Sequence, residues 1–119
     1  MTQPKIIYLE RKKSFVEGDD FYLTSIIIDE KGTILTDLTG WTFKGELYND
    51  ANEIRLDNDD FTVSGAKITL LIPNTSTTSL ADDYGDTATY TLEIQGTLSS
   101  KIYTLLQMKI NVVAEEIDY

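Results

Sequence analysis

Apolar and polar residues alternate with a period of two along most of this chain, and this pattern restricts the fold more than any other feature. In residues 41–49, for example, Trp41, Phe43 and Leu47 are separated by polar or small residues. Successive side chains of a β-strand point to opposite faces, so such a segment predicts a strand with one buried face. We find no ten-residue segment with an apolar period near 3.6, and we therefore expect no long helix.

The alternation predicts seven or eight short strands within one domain. These strands cover residues 5–10, 20–29, 41–49, 53–56, 61–63, 67–72, 88–95 and 101–113. Turn signals lie between them, including a glycine at Gly32 and at Gly65, where a positive φ is easiest to adopt. Strands this short with such frequent turns are typical of a sandwich or a barrel. We expect a single domain over residues 1–119, with its core in residues 4–114 and an acidic tail at 115–119.

Residues 86–95, DTATYTLEIQ, favour the sandwich. In immunoglobulin domains a tyrosine lies two residues before the second cysteine of the core disulfide, and a tryptophan on the third strand packs against that disulfide. Here Leu92 takes the place of the cysteine, and we expect it to pair with Leu23 under Trp41, with Tyr90 as a tyrosine corner. We predict an all-β, immunoglobulin-like antiparallel sandwich without a disulfide, with a partly open barrel as the alternative. The predicted core residues are Leu23, Trp41, Phe43, Tyr90, Leu92 and Ile94.

The composition restricts the chemistry. The 119 residues include no cysteine and no histidine, which removes thiolate chemistry, the commonest general base and the commonest zinc ligand. Two acidic segments, 57–60 and 82–86, supply carboxylates, but neither has the spacing of a calcium-binding loop. A glycosidase pair of carboxylates would need a cleft that a sandwich of this size hardly offers. We expect no enzymatic activity, no cofactor and no metal.

The charge indicates which partners to expect. With 20 acidic and 10 basic residues, the net charge is −10, which opposes binding to nucleic acid. Such a charge suits either a solvated surface or a protein that mimics nucleic acid and binds a basic partner. No segment reaches the roughly 20 apolar residues of a membrane span or has the apolar centre of a signal peptide, so we expect neither membrane insertion nor export.

Several short motifs, in order, resemble a virion module of tailed phages that infect Gram-positive bacteria. The motifs are Gly18-Asp19-Asp20-Phe21, Asp29-Glu30-Lys31-Gly32, Asp37-Leu38-Thr39-Gly40-Trp41, Ala66-Lys67-Ile68-Thr69-Leu70, Tyr90-Thr91-Leu92-Glu93-Ile94-Gln95 and Ile110-Asn111-Val112. The chain is similar to the N-terminal domain of upper baseplate proteins and to tail-fibre and head-fibre attachment domains. Ala66 and Glu93 depart from the usual glycine and aspartate. Upper baseplate proteins continue into a coiled or receptor-binding region, so we expect a stand-alone protein or an excised domain.

This resemblance implies a non-enzymatic structural protein of the baseplate, tail or capsid, assembled in the host cytoplasm and located in the virion. Its expected partners are virion proteins and further copies of itself, with no nucleic acid and no membrane. We expect contacts through the apolar run 26–28 and the last strand, with Ile26, Ile28, Tyr48 and Tyr103 as candidate interface residues. Two alternatives stay open at this point: an acidic inhibitor of a host protein, and a carbohydrate-binding module that uses surface tyrosines.

Overall fold

Nine strands and two short 3₁₀ turns make up the computed structural model, which describes residues 4–8, 14–16, 19–76 and 87–113. The strands are β1 (Lys5–Tyr8), β2 (Ser14–Val16), β3 (Phe21–Ile28), β4 (Thr42–Tyr48), β5 (Glu53–Leu56), β6 (Phe61–Ser64), β7 (Lys67–Ile72), β8 (Thr87–Leu98) and β9 (Lys101–Val113). The 3₁₀ turns are Asn58–Asp60, between β5 and β6, and Asn74–Ser76, after β7.

The strands form two sheets that pack face to face. The four-stranded sheet has the order β1-β3-β7-β6, and the five-stranded sheet has the order β2-β9-β8-β4-β5. The order of the first sheet is that of the ABED sheet of immunoglobulin domains, and β9-β8-β4 in the second corresponds to GFC. The prediction of an all-β, immunoglobulin-like sandwich is thus confirmed, and the barrel alternative is wrong.

One strand of the five-stranded sheet was not predicted from the sequence. Residues Ser14–Val16 form β2, which pairs in parallel with Asn111–Val113 at the end of β9, whereas the other strand pairs of the described residues are antiparallel. Three residues are too few to show alternation, and therefore no periodic signal marked this segment. The consequence is that the N-terminal part of the chain contributes a strand to each sheet.

A single apolar cluster fills the space between the sheets. All six predicted core residues belong to this cluster, each no more than 8% exposed: Leu23, Trp41, Phe43, Tyr90, Leu92 and Ile94. Leu47 on β4 lies directly opposite Leu92 on β8 and is fully buried. Because the buried residues come from both sheets, the cluster joins the two sheets into one packed unit.

Trp41 lies elsewhere in this core than the sequence analysis placed it. Thr42 pairs with Thr97, while Leu92 pairs with Leu47, so Trp41 is displaced from Leu92 by roughly 20 Å along the strand direction. The indole instead packs against Phe43 and Tyr103, with ring centroids 6.0 and 5.8 Å away. The expected arrangement of Trp41 over a Leu23–Leu92 pair is therefore wrong, because the tryptophan precedes β4 instead of lying at its centre.

The turn that leads into β4 explains the motif Asp37-Leu38-Thr39-Gly40-Trp41. The Asp37 carboxylate accepts hydrogen bonds from the backbone N–H and the hydroxyl of Thr39, at 3.0 and 2.6 Å. Leu38 is buried, Gly40 has a φ of 86°, and the Trp41 N–H donates to the Leu38 carbonyl. This segment carries the chain from one sheet to the other, so its residue types follow from turn geometry and burial.

The β8–β9 hairpin contains a bulge that changes which residues of β9 face the core. The pairing shifts between Ile94–Leu106 and Gln95–Thr104, so Leu105 is the extra residue. Tyr103, before the bulge, and Leu105, in the bulge itself, pack against the core; after the bulge, Leu106, Met108 and Ile110 do so. The change of phase explains two consecutive leucines at 105 and 106, and it turns Tyr103 inward.

Candidate functional site

The outer face of the five-stranded sheet is polar and carries hydrogen-bonded side chains across β8 and β9. Lys109 Nζ donates to Thr91 Oγ1 at 2.8 Å, and Gln107 Nε2 donates to Glu93 Oε1 at 2.6 Å. Thr89 and Asn111 form a third such pair, at 3.1 Å. These cross-strand pairs hold the face in a defined pattern of donors and acceptors.

A shallow charged groove lies on the same face beside the edge strand β5. Its charged side chains are Lys44, Glu46, Glu53, Arg55, Asp57 and Glu93. Glu46 and Glu93 occupy directly opposite positions on β4 and β8, an arrangement of like charges that is unfavourable. With four acids against two bases, the groove is acidic.

Arg55 partly balances these acids. Its Nε donates to Glu53 Oε1 at 2.8 Å, and its side chain is 85% exposed. The hydrogen bond and charge of Glu53 raise the pKa of Arg55, and the charges of Glu46 and Asp57 add to that effect. An exposed ion pair of this kind contributes little to the free energy of unfolding. The Arg55–Glu53 bond can therefore break with only a small loss of stability.

The four-stranded sheet has a different outer face. Tyr22 on β3 pairs with Leu71 on β7. Its side chain points away from the core, to the face opposite the buried side chains of Phe21 and Leu23. Ile34, which follows β3 in a short return segment, bridges to Ile28. We call the set Tyr22, Ile26, Ile34 and Leu71 the apolar outer face; Tyr22 is 45% and Ile34 is 46% exposed, and the other two are half-buried.

The four candidate interface residues do not form one surface. Ile26 belongs to the apolar outer face, but Ile28 is only 8% exposed and is therefore a poor contact residue. Tyr48 is half-buried on β4 of the five-stranded sheet, where it lines a depression with Thr91 on β8 and Lys109 on β9. Tyr103 is half-buried and packs on Trp41, because the bulge in β9 turns it inward. Its role as an interface residue stays a prediction.

Sequence reasoning missed the other members of the apolar outer face. Tyr22 occupies a polar-face position in the alternation, so the pattern alone does not mark it as part of an apolar face. Ile34 belongs to no strand, so its neighbour Ile28 could be found only from the bridge between them. Leu71 lies in the run Leu70-Leu71-Ile72, in which the outward residue is as apolar as the inward ones.

Several predictions concern residues outside the described part. These are the acidic segment 82–86 and the tail at 115–119. Within the described ranges, no group of three or more metal-ligating side chains comes together, and every buried side-chain nitrogen or oxygen has a hydrogen-bond partner. In the same ranges no helix is long and apolar enough to cross a membrane.

The hydroxyl of Tyr90 has a partner that the sequence did not indicate. It accepts a hydrogen bond of 2.9 Å from Nδ2 of Asn52, a residue in the turn between β4 and β5. A tyrosine corner would instead bind backbone upstream of β8. Residues 77–86 lie there and outside the described ranges, so the tyrosine corner stays a prediction.

Comparison with known proteins gives matches among solved structures alone. No protein-family model matches the chain, and no curated protein matches it. Among solved structures, the chain is similar to the twitchin kinase region from C. elegans (Fn31-NL-kin-CRD-Ig26), with 15% sequence identity and a TM-score of 0.42. The match covers 95% of this chain and 16% of the other.

Proposed function

We propose that this protein is a non-enzymatic attachment module of a phage virion, part of the baseplate, tail or capsid, that acts through protein–protein contacts. The ordered series of motifs from Gly18 to Val112 supports the virion assignment by its resemblance to baseplate and fibre attachment domains. The immunoglobulin-like sandwich is compatible with such a role but does not specify it, since the same fold hosts many functions.

The observation that carries the contact role is the apolar outer face. The chain has 20 acidic and 10 basic residues, which is enough to cover the outer face of a sheet. This face nevertheless presents Tyr22 and Ile34, each nearly half exposed. Removal of apolar surface from water is favourable by about 25 cal/mol per Å², before the entropic costs of association are subtracted, and tyrosine is enriched in interfaces. Tyr22 with Leu71 at one end of this face and Ile26 with Ile34 toward the other expose apolar side chains to solvent, and exposed apolar surface of this kind favours a protein contact.

The module is expected to be present in several copies in the virion, in contact with further copies of itself or with other virion proteins. The packed core between the sheets supports this role, since a preformed surface loses little conformational entropy on binding. Assembly takes place in the host cytoplasm under this proposal.

The composition of purified virions tests the proposal. Particles are isolated on a density gradient from the host that carries the gene, and their proteins are identified and counted by mass spectrometry. We expect this chain at a fixed copy number per particle, retained after a high-salt wash. A chain that is expressed in infected cells but absent from the particles would contradict the proposal.

A carbohydrate-binding role is the second candidate, because Tyr48 lines a depression with the polar residues Thr91 and Lys109. An aromatic ring beside hydrogen-bonding side chains can stack on a sugar. Titration with cell-wall polysaccharide of the host tests this role. Binding that is lost in Tyr48→Ala but kept in Tyr22→Ala would favour it over the attachment module.

The acidic-inhibitor alternative receives less support. A nucleic-acid mimic needs carboxylates at regular spacing on one face. In the described residues the acids are distributed over separate turns, such as Asp29, Asp37 and Asp57, and over the five-stranded sheet.

A further inference from the structure

The edge strand β5 presents unpaired backbone groups in a defined pattern. Asn49 N–H donates to the Asn52 carbonyl at 2.9 Å, which makes Asn49 and Asn52 a hydrogen-bonded pair of the β4–β5 hairpin. Since hydrogen-bonded and non-hydrogen-bonded pairs alternate, Ile54 and Leu56 direct their backbone groups toward β4. Glu53 and Arg55 therefore direct theirs away from the sheet, toward solvent.

An independent observation supports this assignment. By the same alternation, the N–H of Phe43 on β4 must point toward the β5 side, beyond the point where β5 ends. Asn58 Oδ1 accepts that N–H at 2.8 Å. The backbone of Asp57 is also engaged, because its N–H donates to Asp60 Oδ2 and its carbonyl accepts from Asp60 N–H. Among the described residues, no strand besides β4 pairs with β5.

The side chains along this edge alternate in charge. Glu53, Arg55 and Asp57 are exposed and occupy every second position of an extended segment, since Asp57 also has an extended backbone. Their charges are negative, positive and negative. A strand added beside β5 would lie about 4.8 Å from it and roughly 10 Å from Glu46 on β4. A lysine or arginine side chain on such a strand can approach Glu46 as well as Glu53.

We propose that the β5 edge accepts an extended basic segment of a partner protein as a sixth strand of this sheet. The segment has a lysine or arginine at positions i and i+4, facing Glu53 and Asp57, and an uncharged residue at i+2, facing Arg55. Up to four backbone hydrogen bonds form, one from each N–H and to each C=O of Glu53 and Arg55. This inference rests on the proposed attachment function, for which it names the chemistry of one partner.

Titration with short peptides tests the proposal on the whole protein labelled with ¹⁵N. The probe is acetyl-Ser-Lys-Val-Thr-Val-Lys-Ser-amide. One control peptide has glutamate in place of both lysines, and another is N-methylated at alternate backbone nitrogens so that it keeps the charge but loses strand pairing. We expect the probe to shift the amide signals of Glu53, Ile54 and Arg55 with a dissociation constant on the order of 1 mM or below, and the controls to shift them far less.

Protein variants separate the contribution of charge from that of the backbone. Glu53→Gln and Asp57→Asn should each weaken binding by roughly two- to fivefold, whereas Glu93→Gln, about 14 Å from an added strand, should change it little. Arg55→Gln should tighten binding because it removes a repelling charge. Arg55→Pro removes the same charge but also the outward N–H, so it should weaken binding; proline is tolerated on a sheet edge, and thermal unfolding verifies the fold.

The outcomes distinguish this inference from the attachment function. Equal binding of the N-methylated peptide, or no shift at any peptide concentration up to several millimolar, would overturn the sixth-strand proposal. If the chain is found in virions but does not bind the probe, only the β5 proposal fails. If the chain binds the probe but is absent from virions, the attachment function fails, and the edge remains a site for a basic segment of another protein.

Discussion

Nδ2 of Asn52 donates a 2.9 Å hydrogen bond to the phenolic oxygen of Tyr90, joining the β4–β5 turn to the core of the sandwich. Tyr90 is fully buried, whereas Asn52 is half-buried, so the bond closes one end of the apolar cluster. A buried tyrosine hydroxyl needs such a partner, because leaving it unpaired would cost about 1–3 kcal/mol. The bond thus gives the turn between β4 and β5 a fixed position relative to β8.

A double-mutant cycle measures this bond. Tyr90→Phe, Asn52→Ala and the combined variant should each unfold at lower urea concentration than the original protein. We expect the free energy of unfolding of Tyr90→Phe to fall by on the order of 1 kcal/mol, with a coupling energy of about 0.5–1.5 kcal/mol between the two sites. Additive effects would mean that the Asn52–Tyr90 bond contributes nothing.

Gly96 is required by the close approach of the Trp41 ring. A Cβ at this position would lie 2.8 Å from Cζ3 of Trp41 and 2.7 Å from Cδ1 of Leu105. Gly96→Ala should therefore lower the free energy of unfolding by roughly 1–3 kcal/mol, as measured by urea denaturation. Thr97→Ala, at the next position, is the matched control and should have a smaller effect. If Trp41→Phe did not reduce the cost of Gly96→Ala, the indole would not be the source of the clash.

The Ser99-Ser100 turn is a site where the protein can be stabilised. Leu98 pairs with Lys101, and the two serines between them have φ values of 51° and 67°, as in a type I′ turn. Asparagine and glycine adopt these angles more readily, so Ser99→Asn with Ser100→Gly should raise the free energy of unfolding by about 0.5–1.5 kcal/mol. Ser100→Ala serves as the control and should not stabilise. A lower melting temperature for the Asn-Gly variant would contradict the turn assignment.

The hydrogen bonds of Thr39 lower the pKa of Asp37, the side-chain bond more than the backbone bond. A carboxyl whose pKa is lower in the folded state stabilises the fold above its unfolded pKa of about 3.9, and this contribution is lost as the pH falls through the lower, folded value. An NMR titration of Asp37 should give a pKa below that of an isolated aspartate. Thr39→Ala should raise it toward the ordinary value, whereas Thr36→Ala, which leaves both hydrogen bonds in place, should not. An unchanged Asp37 pKa in Thr39→Ala would exclude the hydroxyl as the cause.

Alternation predicted the strands that have one face on the core, because burial imposes a period of two on the sequence. It could not find β2, since a three-residue parallel strand carries no period. Nor did alternation reveal the bulge at Leu105, where the inward-facing positions of β9 shift by one residue. The two adjacent leucines at 105 and 106 are what such a shift produces in a sequence.

The position of Trp41 and the makeup of the apolar outer face depend on register between strands, which one segment alone does not determine. Trp41 belongs to the core, as its residue type indicates, but only the pairing of Thr42 with Thr97 shows which part. Similarly, Tyr22 and Leu71 become neighbours only through the pairing of β3 with β7. The outer faces of the sheets are therefore harder to predict from sequence than the core.

Site-specific photo-crosslinking in intact virions tests the proposed contact most directly. Tyr22, nearly half exposed on the apolar outer face, is replaced by p-benzoylphenylalanine, which preserves an aromatic ring. Ile102, 61% exposed on the other sheet, receives the same replacement as a control. We predict that illumination of purified particles joins position 22, in much higher yield than position 102, to a virion protein or to a second copy of the chain. Particles that contain the labelled chain but show no crosslink at position 22 would contradict attachment through this face.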